Sequence, residues 1–214
     1  MTDAIILHAR LRLPLSCPAW QEPLLQALPY AQRLELERRE AEARRASLAG
    51  LGLVLVGAAR MSQREFPPQA FTFPPAGKPR LAGGPYFSIS HSNSAVSCIV
   101  CADTDCGIDI EDRPDLAESA TVAKLQRWTA TEAALKAAGL GLRATGEVAL
   151  AARLGHAIVR GQRYELQSLD YMPDVIGHIA AGKKLTPTIA SLELDDARTS
   201  ALLERSLGLA AQFE

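Results

Sequence analysis

The chain is organised around residues 106–141, which read CGIDIEDRPDLAESATVAKLQRWTATEAALKAAGLG. The first part, GIDIE (107–111), predicts a short strand. On a strand, Asp109 and Glu111 project from the same face because successive side chains alternate. The second part, WTATEAALKAAG (128–139), predicts a helix that ends at a glycine C-cap.

The predicted helix carries three functional side chains on one stripe. Trp128, Glu132 and Lys136 are spaced i, i+4, i+8 and therefore lie along one helical face. With Asp109 and Glu111, three carboxylates and a lysine could meet in one place. Taken separately, the two strand acids also fit a solvent-facing strand edge, and the helix pair also fits an ordinary surface ion pair.

The composition excludes several classes of protein. A chain of 214 residues can hold one large domain or two smaller ones, and 48% apolar with 22% charged residues suits a globular protein. A net charge of −1 gives no support for nucleic-acid binding. No run approaches the roughly 20 apolar residues of a membrane span, and the N-terminus lacks the pattern of a secretory signal. We expect a cytoplasmic protein with no nucleic-acid or membrane partner.

Three of the four cysteines cluster at Cys98, Cys101 and Cys106, which raises the alternative of a zinc or iron–sulfur site. The segment around them is strand-like, however, and positions i and i+3 of a strand face opposite sides. Cys98 and Cys101 would therefore not converge, and Cys17 is far away in sequence. We expect buried structural thiols instead.

Residues 30–48, rich in Glu, Arg, Ala and Leu, predict one surface helix. Its arginines fit a solvated face with ion pairs. A second interpretation concerns Arg44 and Arg45, which precede an apolar run and could point into a cleft to hold an anion. Gly50 and Gly52 weaken the prediction that the helix continues through this run.

Residues 86–102, YFSISHSNSAVSCIVCA, predict two strands separated by a polar turn at 92–94. Ser90 and His91 stand at the end of the first strand. They are not a hydrolase pair by pattern, because no G-x-S-x-G elbow is present. Hydrogen bonding to an anion suits them better, with a turn-capping serine and an exposed histidine as the alternative. Lys78 precedes them on a proline-rich connector, in a Gly-Lys-Pro triplet.

The remaining patterns complete a mixed α+β fold. Residues 4–13 predict a first strand, and residues 146–181 predict a meander of short strands. The tail predicts a last strand and an amphipathic helix around 195–207. Strands and helices thus alternate in two α/β halves, an N-terminal half of residues 1–104 and a C-terminal half of residues 105–214.

Four sequence blocks together resemble one known family. GKP, FSISHS and GIDIE are followed by W-x-x-x-E-A-x-x-K-A-x-G-x-G-L, and this series is similar to that of 4′-phosphopantetheinyl transferases of the surfactin-synthetase-activating type. An arginine-bearing helix leading to Leu-Ala-Gly (48–50) is also similar. The likeness covers residues 28–181. Each block is weak by itself, whereas the combination is specific.

The resemblance implies an enzyme of the holo-acyl-carrier-protein synthase type. Such a transferase moves the 4′-phosphopantetheine arm of coenzyme A onto a serine hydroxyl of an apo acyl or peptidyl carrier protein and releases 3′,5′-ADP. The implied fold is a pseudo-dimer of two similar α/β halves with the active site in the cleft between them. The implied cofactor is Mg²⁺, or Mn²⁺ in its place, and a pseudo-dimer is expected to be a monomer.

The resemblance also assigns the candidate site residues. Three carboxylates would hold the metal: Asp109, Glu111 and Glu132. The catalytic residues would be Glu132, Lys136 and Asp109, with Lys136 meeting the phosphates. The nucleotide phosphates would be bound by four further residues: Arg45 (or its neighbour Arg44), Lys78, Ser90 and His91.

The chemistry of these residue types agrees with that assignment. Mg²⁺ prefers hard oxygen ligands and often bridges one or two carboxylates and a substrate's phosphates. Phosphoryl transfer depends on positioning and charge neutralisation, typically from a metal with Lys or Arg. The acceptor serine must lose its proton, and Glu132 is the expected base, directly or through a water on the metal.

Two features depart from the family pattern. Residues 112–127 are shorter than in longer relatives, which carry there an extra helix and loop that help to cover the cleft and contact the carrier protein. Thr131 stands where a lysine usually precedes the metal-binding glutamate, and Arg127 or Lys124 could supply the missing charge. Two alternatives remain: a degenerate relative that binds coenzyme A or a carrier protein without transfer, and a metal-dependent phosphohydrolase.

Overall fold

The structure is a computed structural model that describes residues 3–11, 18–75, 77–114, 119–194 and 197–207. It contains both helices and sheets, which confirms the mixed α+β class. The strands are β1 (Ala4–Arg10), β2 (Phe71–Thr72), β3 (Arg80–Leu81), β4 (Tyr86–His91), β5 (Ala95–Cys101), β6 (Cys106–Asp112), β7 (Val148–Leu150), β8 (His156–Val159), β9 (Gln162–Ser168), β10 (Val175–Ala181) and β11 (Pro187–Ser191). The helices are α1 (Gln21–Ala27), α2 (Tyr30–Glu37), α3 (Ala41–Ser62), α4 (Ser119–Ala137) and α5 (Ala197–Ser206), with 3₁₀ turns at Pro68–Ala70 and Leu142–Glu147.

The first sheet has four strands in the order β11–β1–β5–β4. β5 pairs antiparallel with both β1 and β4, whereas β11 pairs parallel with β1. The predicted hairpin at residues 86–102 is therefore confirmed as β4 and β5. β11 joins this sheet from the far end of the chain, and the predicted division between residues 104 and 105 stays a prediction.

The prediction of one helix over residues 30–48 is wrong. The chain forms two helices, α2 and α3, where one was expected, and the break carries neither glycine nor proline. α2 buries only Leu36, whereas α3 is buried on all sides along its middle and must enter the core in a different direction. Tertiary packing therefore sets this break, and the local sequence does not signal it.

Glycines permit the close packing of α3 on the first sheet. A Cβ at Gly50 would lie 2.5 Å from Cγ2 of Ile89, and one at Gly57 would lie 2.8 Å from Cγ2 of Val100. α3 runs without interruption to Ser62. The weakened helix prediction at Gly50 is thus corrected: the residue marks a helix–sheet contact, where the missing side chain favours packing more than it costs in helix propensity.

The second sheet has five antiparallel strands in the order β6–β10–β9–β8–β7, which confirms the predicted meander. α4 packs on β6 and β10 through small side chains, among them the buried Ala130, Ala133 and Ala137. A Cβ at Gly107 of β6 would collide with the carbonyl oxygen of Ala133 and lie 2.6 Å from the amide nitrogen of Ala137. The helix backbone therefore rests directly on this strand.

The predicted glycine cap of α4 is confirmed. Gly139 adopts a left-handed conformation with φ of +69°. The amide of Leu140 donates to the carbonyl of Leu135 at 2.9 Å, and that of Gly139 donates to the carbonyl of Lys136 at 3.2 Å, as in a Schellman motif. The helix begins earlier than predicted, at Ser119.

Two serine hydroxyls join the sheets where the edge strands β4 and β6 meet. The amide of Ile108 donates to Oγ of Ser88 at 3.2 Å, and the amide of Ile110 donates to Oγ of Ser90 at 3.2 Å. Alternation on a strand places both hydroxyls on the same side of β4. Side chains thus take the place of a backbone ladder between the two sheets.

The turn after β4 extends this junction. The hydroxyls of Ser92 and Ser94 each donate to Oδ1 of Asp112 at 2.5 Å, and the amide of Asn93 donates to Oδ2 at 3.0 Å. These bonds hold the end of β6 against the β4–β5 turn. The acidic strand is consequently held in its middle by Ser88 and Ser90 and at its last residue by the β4–β5 turn.

The cysteines are buried, as expected. Cys98 packs in the core that includes α3, whereas Cys101 and Cys106 pack in a different core cluster. All three are free thiols. Cys17, the end of the predicted first strand (12–13) and the start of the predicted tail helix (195–196) lie outside the described residues. Among the described residues, none of the helices has the length and apolar character that crossing a membrane requires.

The close approach of α4 to β6 predicts a strong effect of Gly107→Ala. The added methyl group has no space beside the α4 backbone, so we expect the free energy of unfolding to fall by about 2–3 kcal/mol. Urea unfolding measures this change. Gly146→Ala is the matched control, because a Cβ there meets nothing within 4 Å, and equal loss in both variants would contradict the packing described for α4.

Candidate functional site

Three acidic side chains converge where α4 crosses β6. Asp109, Glu111 and Glu132 each offer a carboxylate oxygen, and these oxygens lie within 4.8 Å of one another. Asp109 and Glu111 share one face of β6, as the sequence predicted. Glu132 reaches them because the alanine-rich face of α4 lies directly on that strand. The tertiary structure thus assembles the predicted set, although its role as a metal site stays a prediction.

Asp109 is the buried centre of this cluster, with 3% of its surface exposed. Its Oδ1 accepts from Nζ of Lys136 at 2.5 Å and from the hydroxyl of Ser90 at 2.9 Å. Its Oδ2 is buried and has no hydrogen-bond partner among the described residues. A buried acceptor of this kind costs about 1–3 kcal/mol, and a cation beside it would offset that cost.

Those observations fit a hard divalent cation. The three oxygens come from carboxylates, which are the ligands that Mg²⁺ prefers, and one of them lacks any other partner. Mn²⁺ also suits carboxylate oxygens. The donor set contains no thiolate or imidazole, which softer metals favour.

Lys136 supplies the positive charge of the cluster. Besides Asp109, its Nζ lies 3.8 Å from Oε2 of Glu132 and donates to Oγ of Ser90 at 3.2 Å. One lysine therefore faces three carboxylates. The excess of negative charge is the second reason to expect a cation here.

The pKa values of the two glutamates reflect this crowding. Burial, followed by the charge of Asp109, raises the pKa of Glu132 to about 7, and Lys136 counteracts only part of the shift. Burial and Asp109 also raise the pKa of Glu111 above its ordinary value. The indole of Trp128 opposes that rise, so the tryptophan of the predicted stripe lies beside Glu111.

A pocket of about 980 Å³ lies beside the cluster. Lys136 belongs to both, because it lines the pocket while it contacts Asp109. The other walls come from the Gly-Lys-Pro loop, from β4 and from the segment after α4: Pro75, Gly77, Lys78, Pro79, Phe87, Ser88, Ile89, Gly139, Leu140, Gly141, Leu142, Arg143, Ala144, Glu147 and Arg160. The resulting space is large enough for a cofactor-sized ligand.

Lys78 lies in the wall of this pocket, where the sequence predicted a phosphate-binding residue. Its side chain is only 7% exposed and lies 3.6 Å from the carboxylate of Asp105. Its ammonium group also donates to the carbonyl of Cys106. Lys78 is therefore held against the start of β6, close to the acidic strand.

Ser90 is more deeply engaged than the sequence suggested. Its hydroxyl donates its single hydrogen to Asp109 and accepts from the amide of Ile110 and from Lys136. In this arrangement it orients the acid and the lysine of the cluster. Its predicted contact with a nucleotide phosphate stays a prediction.

A smaller pocket of about 360 Å³ adjoins the first, with which it shares Gly77, Pro79 and Ile89. His91 lines it, as do Arg39 and Ser47. Burial comes first among the causes that lower the pKa of His91, followed by the charges of Lys136 and Arg39. The neutral histidine and the arginine thus face one space.

Arg39 is the residue that the sequence prediction missed. Its guanidinium donates to Oγ of Ser47 at 3.0 Å and to Glu35 at 2.5 Å. The predicted Arg45 lines neither pocket, and Arg44 donates to the carbonyl of Glu37 at 3.4 Å. The unforeseen break between α2 and α3 brings Arg39 to the pocket, and no local pattern distinguishes it from the other arginines of this segment.

The structure describes Thr131 and most of the short segment 112–127, the two places where the sequence departs from the family pattern. Residues 115–118 of the short segment lie outside the described residues. Thr131 donates to the carbonyl of Arg127 at 2.8 Å. It is a half-buried residue that bonds to its own helix, and the side chains of Arg127 and Lys124 are exposed.

A scan against models of known protein families finds no match, and a search of curated proteins finds none either. The resemblance to a family therefore rests on the sequence blocks described above.

Glu132 predicts a pH dependence of stability. Because its pKa rises from 4.5 to about 7 on folding, the folded state binds more protons than the unfolded state between these two values. The free energy of unfolding should therefore decrease as pH rises through this window, by roughly 2 kcal/mol for this group. Urea unfolding in the presence of a chelator, at about pH 5 and about pH 8, compares the protein with Glu132→Gln. The variant should lose this decrease, and an equal pH dependence in both proteins would show that Glu132 titrates normally.

Proposed function

We propose that the protein is a 4′-phosphopantetheinyl transferase of the surfactin-synthetase-activating type. It would transfer the phosphopantetheine arm of coenzyme A to a serine of an apo acyl or peptidyl carrier protein. The observation that carries the proposal is the acidic cluster of Asp109, Glu111 and Glu132, which lies beside a large pocket and shares Lys136 with it. The order of the four sequence blocks supports the same reaction.

The pseudo-dimeric arrangement with its active-site cleft belongs to the same proposal. In support, each sheet carries one long helix: α3 contacts β1, β4 and β5, and α4 contacts β6 and β10. The edge strands β4 and β6 lie side by side, and the large pocket takes lining residues from both the α3 sheet and the segment after α4. We infer that coenzyme A binds in this pocket.

The three carboxylates would hold Mg²⁺ or Mn²⁺. When bound, such an ion would neutralise charge on the pyrophosphate of coenzyme A. Asp109 contributes the oxygen that has no other partner, and Ser90 keeps the carboxylate in place through its other oxygen. Lys136 contacts Asp109 of the cluster and also lines the pocket, so it would contact the phosphates of a coenzyme A molecule bound there.

We assign the nucleotide end of coenzyme A to the smaller pocket. Arg39, Ser47 and His91 line it together, and a guanidinium with a hydroxyl suits a phosphate monoester. Arg39 would thus have the phosphate-binding role that the sequence analysis assigned to Arg45. Lys78 would approach the phosphates from the wall of the larger pocket.

Glu132 is suited to act as the general base. Without a cation, burial and the charge of Asp109 raise the pKa of Glu132 to about 7, and a carboxylate at this position can accept the proton of a hydroxyl held beside it. It would take the proton of the carrier serine as the serine oxygen forms a bond to the phosphorus next to the pantetheine arm. The bond from that phosphorus to the bridging oxygen then breaks, and 3′,5′-ADP leaves with the electron pair. Lys136 would offset the charge that develops on the leaving group.

A transfer assay tests the proposed function. The protein is incubated with coenzyme A, Mg²⁺ and a panel of apo carrier proteins, and mass spectrometry detects the added phosphopantetheine. Glu132→Gln should lower the rate by at least about 100-fold, because it removes both a base and a metal ligand. Glu65→Gln is the matched control, since Glu65 is exposed, lines neither of the two pockets and pairs with Arg205.

The other outcomes of this assay separate the alternatives. Coenzyme A binding without any modified carrier would favour a degenerate relative. Release of phosphate from simple esters without a carrier would favour a phosphohydrolase. The absence of both coenzyme A binding and transfer would refute the proposal.

Two neighbouring arginines test the nucleotide pocket. Arg39→Ala should weaken the affinity for coenzyme A by about tenfold, because a charge-assisted contact to a phosphate is lost. Arg38→Ala should leave it nearly unchanged, because Arg38 is exposed and does not line the pocket. Isothermal titration calorimetry measures both. An effect confined to an Arg45→Ala variant would restore the assignment made from the sequence.

A further inference from the structure

A third pocket, of about 690 Å³, shares no lining residue with the two pockets assigned to coenzyme A. It lies among α4, the turn between β7 and β8, and the strands β9 and β10. Its lining combines polar and charged side chains with two leucines and a glycine: Gln126, Arg153, Leu154, Gly155, Glu165, Leu166, Gln167, Ser168, His178 and Lys184. The proposed transfer reaction gives this pocket no function.

His178 is the buried residue of this pocket, with 3% of its surface exposed. Its Nδ1 lies 2.8 Å from the hydroxyl of Thr129. That hydroxyl also contacts the carbonyl of Gln126 at 3.2 Å, so it holds the ring in one orientation whichever of the two groups donates the hydrogen. The second ring nitrogen, Nε2, takes no part in this contact.

Nε2 of His178 has no hydrogen-bond partner within the part of the chain that the structure describes. Burial lowers the pKa of His178 to about 4, so the ring is neutral at physiological pH. The pocket thus presents one fixed ring nitrogen that needs a hydrogen-bond partner, and a hydroxyl group on a ligand can satisfy it as donor or as acceptor.

The remaining side chains are donors or cations. The carbonyl oxygen of Gln167 accepts from the amide of Leu185 at 3.1 Å, which leaves its NH₂ group free to donate. Arg153 is exposed and makes no ion pair or hydrogen bond to any described residue. Lys184 adds a second cation. The one acid, Glu165, is paired with Arg163 at 2.7 Å.

We propose that this pocket binds a small organic phosphate that carries a hydroxyl group. Arg153 and Lys184 bind the phosphate, and Nε2 of His178 forms a hydrogen bond with the hydroxyl. Cations beside a neutral imidazole nitrogen select for an anion that also carries a hydroxyl group. The inference does not depend on the proposed transferase activity, because no residue of the acidic cluster takes part.

Isothermal titration calorimetry on the full chain tests the phosphate part, with glycerol phosphate as the probe. Lys184→Gln and Arg153→Gln should each weaken binding by about tenfold, through loss of a charge-assisted hydrogen bond. Lys183→Gln is the matched control, because this neighbouring lysine pairs with Asp103 and does not line the pocket. Equal affinity in all four proteins, or the absence of binding, would overturn the proposal.

The predicted contact between His178 and the ligand hydroxyl is tested by changing the ligand, which needs no substitution of a buried residue. Propyl phosphate has the same phosphate but no hydroxyl, so it should bind about fivefold more weakly than glycerol phosphate. In His178→Phe the two ligands should bind equally. If that variant does not fold, the comparison of ligands in the unaltered protein still decides, and equal binding there would overturn the assignment of His178.

Discussion

The hydroxyl of Ser90 makes three hydrogen bonds at the place where the two sheets meet, and the candidate site depends on them. It accepts from the backbone of Ile110, donates to Asp109 and receives a hydrogen bond from Lys136. One side chain on β4 therefore fixes the acidic strand, the buried acid and the helix lysine relative to one another. With Ser88, it also replaces the backbone ladder that β4 and β6 do not form. The junction of the fold and the centre of the candidate site are the same contact.

The acidic cluster lowers the stability of the fold while no cation is bound. Burial and the charge of Asp109 raise the pKa of Glu132 to about 7, and one oxygen of Asp109 has no partner among the described residues. Both features cost free energy in the absence of a cation. Other parts of the chain must offset this cost. The close packing of α4 over Gly107 and the cap at Gly139 are two such contributions.

The sequence prediction of one helix over residues 30–48 failed at the turn between α2 and α3. The segment with Arg39 and Arg45 has uniform helix propensity, so the pattern gave one helix, and the anion site at Arg45 stays a prediction. In the structure, Leu36 is buried at the end of α2 and α3 enters the core. The turn between them brings Arg39 to His91. Helix propensity is a local quantity, whereas the burial of α3 depends on the sheet beneath it.

Local patterns in the sequence determined the mixed α+β class, the hairpin and the meander. They also determined the candidate acids, since the spacing of Asp109 and Glu111 and the stripe that bears Glu132 follow from strand and helix periods. Only the tertiary structure decided that these elements meet and that Ser90 is bound within the junction. It also decided that Arg39 lines a pocket with His91 and that a further pocket forms at His178. The reason is physical. Periodicity fixes the face on which a side chain lies, but long-range packing fixes what that face meets.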